Sequence, residues 1–347
     1  MIFFFQTLLL CQLVFSIKFE DCPSKDFVET RQLYVATCDS REGRRSHWAL
    51  RTWNTSGYDL RVHEGVSMIN VCYGKSWKMY EFLTKPMLYK KYIAKLPQDA
   101  YIILMDSDTF WSTSSLKAIW HRFDCARGDK DVVLSTEMQC WVGRYCNEND
   151  LKRWYSNIAD TPSFSPFANS GAVMGKISKI ALMLDFVVKN HKNYFVEKPG
   201  NKMKFDDQYA YVDYAITVAP QDFALDYHQQ LLSSFSIHTM HTHGPAPPWG
   251  FICKRANGTV AMNCPDYTMR MVRWGYFHLD QDTCSLGRRL ARNTGLNKYL
   301  QTIASETVIW HGNGVGKRVY AQLSHDAFLC FLKKRNLTAK DWKEMIP

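Results

Sequence analysis

The chain has 347 residues, 46% of them hydrophobic and 22% charged, which excludes a disordered or fibrous protein and allows a substantial core. Lysine and arginine exceed aspartate and glutamate by 43 to 33, and the resulting net charge of +10 favours anionic ligands. No long basic block or zinc-finger spacing accompanies that charge, so nucleic-acid binding has little support.

Residues 1–16 are apolar apart from Gln6 and Gln12, a run too short for a comfortable membrane span and suited to a cleaved secretory signal. Residues 17–347 then read as one domain, with no later stretch long enough to span a bilayer. The signal contains Cys11, one of eleven cysteines. The even number left over, in a lumenal or secreted chain, predicts several disulfides. Sequons at Asn54, Asn257 and Asn336 agree with passage through the endoplasmic reticulum or Golgi.

Gln32 to Thr37 predicts a first strand, running into a polar turn where Asp39 is placed to accept from a nucleotide base or ribose. A second strand is expected over Val66 to Tyr73. A helix follows, with Thr84 as its cap, Pro86 in its first turn and Tyr89, Tyr92, Ile93 and Leu96 on one face. Trp77 and Lys85 stand ahead of that helix body, where an aromatic ring can stack a base and an ammonium can meet phosphate.

Tyr101 to Met105 is an apolar run with the length of a fully buried strand, and it ends abruptly in Asp106-Ser107-Asp108. Leaving two carboxylates buried and unpaired would cost several kcal/mol, so they belong at the sheet's edge, in water or on a cation. Hard oxygens there suit Mn²⁺ or Mg²⁺ bridging to a diphosphate. Solvated turn aspartates have the same appearance.

Ser114 to Phe123 has helical composition and Asp131 to Thr136 predicts a further strand. The alternation argues an α/β sheet, mostly parallel, with helices on both faces. Cys140 to Phe167 reads as a loop-rich, disulfide-braced excursion. In Ala168-Asn169-Ser170-Gly171-Ala172-Val173-Met174-Gly175, small residues admit close approach of a ligand, and Asn169 and Ser170 offer hydrogen bonds to sugar hydroxyls; a glycine-containing turn before a strand would read alike. The next helix places Ile177, Ile180, Ala181, Leu184 and Val188 on its core face.

Asp206 and Asp207 then open another helix, favoured by its dipole and equally able to serve as a general base or to stabilise a cationic anomeric centre. Residues 236–300 read as a loop-rich insertion. A late strand, Glu306 to Trp310, ends in His311-Gly312-Asn313-Gly314-Val315-Gly316-Lys317, offering an imidazole for Mn²⁺, glycines that leave room for phosphate, and Lys317 to neutralise it.

Taken in order, Val35-Ala36-Thr37, Trp77 with Lys85, Asp106-Ser107-Asp108, Asn169-Ser170-Gly171, Asp206-Asp207-Gln208 and His311-Gly312-Asn313-Gly314 resemble the glycosyltransferase domain of the procollagen lysyl hydroxylases and related collagen glycosyltransferases. The resemblance runs from about Arg31 to about Tyr320. It implies a GT-A fold and transfer of galactose or glucose from a Mn²⁺-bound UDP-sugar to a hydroxyl acceptor, hydroxylysine-linked in collagen-like protein. By position it makes Asp106, Asp108 and His311 metal ligands and Asp206 and Asp207 the catalytic acidic pair. It makes Thr37, Trp77 and Lys85 donor-binding residues, and Asp39, Ser107, Asn169, Ser170, Gly171, Gln208, Gly312, Gly314 and Lys317, beside them in the same stretches, are expected to line the donor as well. Two alternatives stay open: a GT-A α-galactosyl or α-mannosyl transferase acting on glycans, and a secreted carbohydrate-binding protein of the same fold without turnover. An iron(II) dioxygenase is a weaker third, on His278-Leu279-Asp280.

Overall fold

The computed structural model describes residues 30–39, 66–72, 81–111, 116–137, 167–198, 202–226, 231–236 and 309–313, short strands between 252 and 289, and residues 333, 336 and 338. In chain order the first elements are β1 (Leu33–Cys38), β2 (Ser67–Asn70), α1 (Glu81–Ile93), β3 (Tyr101–Asp106), β4 (Thr109–Trp111), α2 (Leu116–Arg127) and β5 (Val132–Glu137). They are followed by β6 (Phe167–Lys176), α3 (Ile177–Lys189), β7 (Phe195–Lys198), β8 (Lys202–Phe205), α4 (Asp207–Asp213), β9 (Phe223–Leu225) and β10 (Leu232–Ser236). The last are β11 (Ile252–Lys254), β12 (Val260–Met262), β13 (Tyr276–Leu279), β14 (Leu286–Arg289) and β15 (Ile309–Asn313).

The main sheet has the order β2-β1-β3-β6-β5-β10-β15-β4, with β9 on β5. Most pairings are parallel; β6 runs against both β3 and β5, and β4 runs against β15. The five apolar residues ahead of Asp106 show why helices are needed on both sides. Ile102 and Leu104 belong to one hydrophobic layer and Ile103 and Met105 to the other, the two-residue period of a strand buried on both faces. The first layer is covered by α1, α3 and α4 through Tyr89, Ile93, Ile180, Met183, Leu184, Ala210 and Tyr211. The second is covered by α2 through Ile119, Trp120 and Phe123. The expected α/β architecture, a mostly parallel sheet between helices, is therefore what the chain forms.

Three local expectations need correction. Helix α1 begins at Glu81, so Thr84 does not cap it and Pro86 lies in its second turn, where its missing N–H would otherwise bond toward Phe82. On α3 the fully buried stripe is Ile177, Ile180, Met183, Leu184 and Val187, with Ala181 and Val188 only partly covered, a small rotation of the predicted face. Asn169-Ser170-Gly171 forms no turn but lies inside the ten-residue strand β6. Within the insertion, β11 pairs β12 and β13 pairs β14 as two antiparallel hairpins, the second containing His278. Residues 1–29, 138–166 and most of 237–308 lie outside the described residues, and with them the signal segment and nearly all of the excursion that begins at Cys140.

At the amino ends of β1 and β3, Arg31 lies over the Trp120 ring at 4.1 Å and forms a bidentate pair with Asp124 at 2.9 and 2.7 Å. Arg127 adds a third bond to the same carboxylate at 2.8 Å. Partial burial alone would raise the Asp124 pKa, but the guanidinium hydrogen bonds outweigh it and hold the group below its ordinary value. A depressed folded-state pKa gives stability that is present above about pH 4 and lost as pH falls through the folded value. Asp124→Asn should therefore lower the melting temperature at pH 7 and flatten its decline on acidification below pH 4. Calorimetry across pH 3–7 measures both.

Cys38, the last residue of β1, is disulfide-bonded to Cys72 just past β2. Cys125 is disulfide-bonded as well. No helix among the described residues is long and apolar enough to cross a membrane. Asn336, the described sequon, is exposed at a φ of 51°, a left-handed conformation that asparagine tolerates.

Candidate active site

The site is assembled at the carboxyl edge of the parallel strands, where open α/β sheets bind ligands. β3 delivers Asp106, β5 delivers Glu137, β10 delivers Ser234 and β15 delivers His311. Because β6 is antiparallel, its first residues reach the same edge. Leu134 of β5 faces Val173, but the next pair is Ser135 with Asn169, so residues 170–172 of β6 have no counterpart on β5. That bulge holds Asn169 and Gly171 against His311.

The turn after β3 is also forced inward. Asp108 precedes Thr109, whose partner across β4 and β15 is His311. Only Ser107 and Asp108 lie between Asp106 and Thr109, a span of three Cα–Cα steps, so the β4–β15 edge must return to within about 11 Å of the end of β3. Two segments some two hundred residues apart are thereby brought together by strand pairing alone.

Asp106 uses its two oxygens differently. Oδ1 accepts from Lys85 Nζ at 2.7 Å, while Oδ2 stands 3.4 Å from His311 Nε2 without a hydrogen bond between them. Lys85 also pairs with Asp207, so one ammonium ties the end of β3 to the start of α4. Burial alone would pull the Lys85 pKa down, but the carboxylates of Asp106 and Asp207 outweigh it and hold the ammonium well above its usual value. The trio carries one net negative charge, a setting that attracts a cation. Tyr89 donates to the Met105 carbonyl at 2.9 Å, and burial raises the hydroxyl pKa of both Tyr89 and Tyr211, keeping the phenols neutral.

His311 is 3% exposed, and its Nε2 has no hydrogen-bond partner. On the other side of the ring, Nδ1 lies 3.1 Å from Asn169 Oδ1 and 3.0 Å from Ser234 Oγ. The ring is packed so closely on β6 that a Cβ at Gly171 would overlap Nδ1 and Cε1. Gly171 is thus required by the imidazole itself.

The acidic pair divides. Asp206 caps α4 by accepting from Tyr209 N–H at 2.9 Å, while Asp207 is buried and turned to Lys85. Gln208 donates to Glu137 at 2.6 Å and to the Ala168 carbonyl at 3.0 Å. Glu137, which has no exposed surface, also accepts from Asn169 Nδ2 at 3.1 Å; sequence reasoning missed it, since a glutamate ending a six-residue strand carries no motif. Asp39 is buried, its backbone locked by the Asn70 amide at 2.9 and 2.8 Å. The Thr37 and Thr109 hydroxyls are buried at this edge with no hydrogen-bond partner. Ser107, Asp108 and Ser170 are half-buried, and Gly312 follows His311 in β15. Trp77, Gly314 and Lys317 lie outside the described residues.

Whether these residues fit a divalent ion turns on the donor set. Among the described residues no three His, Cys, Asp or Glu side chains are grouped closely enough to hold a metal by themselves. Two are, Asp106 and His311, and a cation bound through a diphosphate ordinarily takes only one or two protein ligands with the rest from phosphate and water. The unpartnered Nε2 beside a carboxylate oxygen fits that partial set.

No protein-family model and no curated protein matches the chain. Solved structures similar to it include a glycosyltransferase involved in glycosylation of the major capsid of PBCV-1 (8% identity, TM-score 0.40, covering 86% of this chain and 99% of that one). Mouse xyloside xylosyltransferase 1 shares 12% identity at a TM-score of 0.37 over 59% and 87% of the two chains. The galactosyltransferase LgtC shares 10% at 0.37 over 84% and 95%. Likeness at this level assigns no activity, and what the site can do rests on its own residues.

Proposed function

We propose that the chain is a metal-dependent glycosyltransferase, moving a hexose from a UDP-sugar to a hydroxyl acceptor within the secretory pathway. The observation that carries this is the bare, buried Nε2 of His311 facing Asp106 Oδ2 at 3.4 Å, on the strand edge that takes ligands. The buried Cys38–Cys72 disulfide supports an oxidising compartment. Galactose or glucose as the sugar, and a collagen-like protein as the acceptor, follow from the sequence resemblance.

Asp106 and His311 would hold Mn²⁺ or Mg²⁺, and Asp108, two residues beyond Asp106 on the turn after β3, is the further acid the sequence offers. A divalent ion there supplies neutralising charge to the departing diphosphate. The protein residues have separate tasks. Lys85 fixes the direction of the Asp106 carboxylate and pairs with Asp207 beside it. Asp207, at the same strand edge, sets negative potential where positive charge develops at the anomeric carbon. The Thr37 hydroxyl and the Asp39 backbone at the end of β1 line the side that would receive the nucleotide.

The test is Mn²⁺ binding by electron paramagnetic resonance together with hydrolysis of UDP-galactose and UDP-glucose. His311→Ala and Asp106→Asn should each weaken Mn²⁺ binding and reduce turnover at least about 100-fold, the usual scale for loss of a charge-stabilising contact. Wild-type protein that binds no Mn²⁺ and hydrolyses neither donor would overturn the proposal.

A further inference from the structure

Glu137 lies one residue beyond direct contact with His311, and the hydrogen bonds between them have a fixed sense. Asn169 Nδ2 donates to Glu137 Oε1 at 3.1 Å, so the amide oxygen must face the other way. That oxygen accepts from Gly171 N–H and from Ser234 Oγ, each at 2.7 Å. The Gly171 backbone N–H is only a donor, and it confirms the orientation of the amide independently. His311 Nδ1, 3.1 Å from the same oxygen, can meet it only as N–H. The Ser234 proton is already directed at Asn169, so the contact from Nδ1 to Ser234 Oγ at 3.0 Å is read in the same direction, with Nδ1 donating. A neutral imidazole protonated at Nδ1 carries its lone pair on Nε2, and Nε2 is the atom facing Asp106. Glu137, Asn169, Ser234 and His311 are all at most 3% exposed, so no bulk water competes for these bonds.

We propose that Glu137 is a positioning residue which, by holding the Asn169 amide in one orientation, keeps His311 in its Nδ1–H tautomer and presents Nε2 as an electron-pair donor toward Asp106. The proposal rests on the metal-site reading for its purpose but not for its test. A glutamine at 137 has an N–H₂ as well as a carbonyl, so it removes the charged acceptor that holds Asn169 Nδ2 and leaves only the Gly171 N–H and Ser234 hydroxyl opposing a turned-over amide that would offer His311 a donor. Outer-shell groups of this kind change metal affinity about 10–100-fold.

The experiment is a long-range proton–nitrogen correlation spectrum of protein labelled with ¹⁵N-histidine, metal-free, at a pH where the His311 ring is neutral, with His311→Gln for assignment. Wild type should show a protonated Nδ1 and a bare Nε2. Glu137→Gln should show a mixture of tautomers or the reverse one, and Mn²⁺ binding weakened by about 10–100-fold. Wild-type His311 protonated at Nε2, or an unchanged tautomer in a folded Glu137→Gln protein, would overturn the proposal. If Glu137→Gln does not fold, Gln208→Leu removes the other amide from Glu137 Oε1 and should leave the tautomer unchanged; a change there would assign the ordering to Gln208 instead. A wild type with the stated tautomer but no Mn²⁺ binding would sink the metal reading and leave this inference standing.

Discussion

Gly171→Ala should abolish Mn²⁺ binding and donor hydrolysis while leaving a folded protein. The new methyl would occupy the space of the His311 imidazole, overlapping Nδ1 and Cε1, and one of the two must move. Gly171 lies in the bulge, and shifting it would pull on Ala172, paired with β3, and Asn169, paired with β5, whereas His311 is a single side chain held mainly by the Asn169 and Ser234 contacts. The ring is therefore the part that gives. Overpacking of this kind costs about 1–3 kcal/mol, a melting shift of a few degrees. Loss of the His311 ligand should reduce Mn²⁺ affinity and turnover by at least about 100-fold. Gly175→Ala provides the comparison. Its methyl would meet Asp131 O and Val132 Cγ2 at 2.8 Å, at the opposite end of β6, so stability should fall with no effect on metal binding. Equal Mn²⁺ affinity in Gly171→Ala and Gly175→Ala would show that the His311 ring is not the acceptor of the strain or not a ligand.

That contrast also shows what could be read in advance. The β3 run announced itself because five apolar residues followed by Asp106 and Asp108 admit few placements other than a buried strand opening at a sheet edge. Helices on both faces followed from the alternation of elements, and the Asp207 carboxylate does face the same edge as Asp106. What was not legible is long-range pairing. Nothing in the local sequence says that β10 and β15 lie in parallel, placing Ser234 opposite His311, or that Thr109 is its partner on the other side. Gly171 was read as making room for a ligand, but the neighbour that needs the room is a side chain from 140 residues later in the chain. Lys85 was read as a phosphate contact ahead of a helix; with α1 starting at Glu81 it falls within the helix, one turn before Tyr89, and points into two carboxylates. Periodicity identifies faces, whereas register and partner choice depend on contacts distant in sequence.

Lys85→Met should be the most damaging substitution for stability at neutral pH. The side chain is 6% exposed, against 24% and 12% for Asp106 and Asp207, and its ammonium pairs with both carboxylates. Removing one partner from a buried ion pair typically costs about 3–5 kcal/mol, because the remaining charge is left uncompensated. Here two carboxylates remain, so the melting temperature should drop by roughly 5–15 °C at pH 7.5. The pH dependence distinguishes this from a simple cavity. In the wild type the Lys85 pKa is raised, so its contribution is fully present below about pH 10 and is lost only as pH rises through the folded value above that. In the variant two partly buried carboxylates are left without the ammonium they share, and protonating either one relieves their repulsion. Mild acid should therefore recover part of the loss. A cavity left by methionine's poorer fit would give the same deficit at every pH. A Lys85→Met protein with wild-type stability at pH 7.5 would mean that Asp106 and Asp207 are hydrated and independent, and the electrostatic coupling of β3 to α4 would have to be given up.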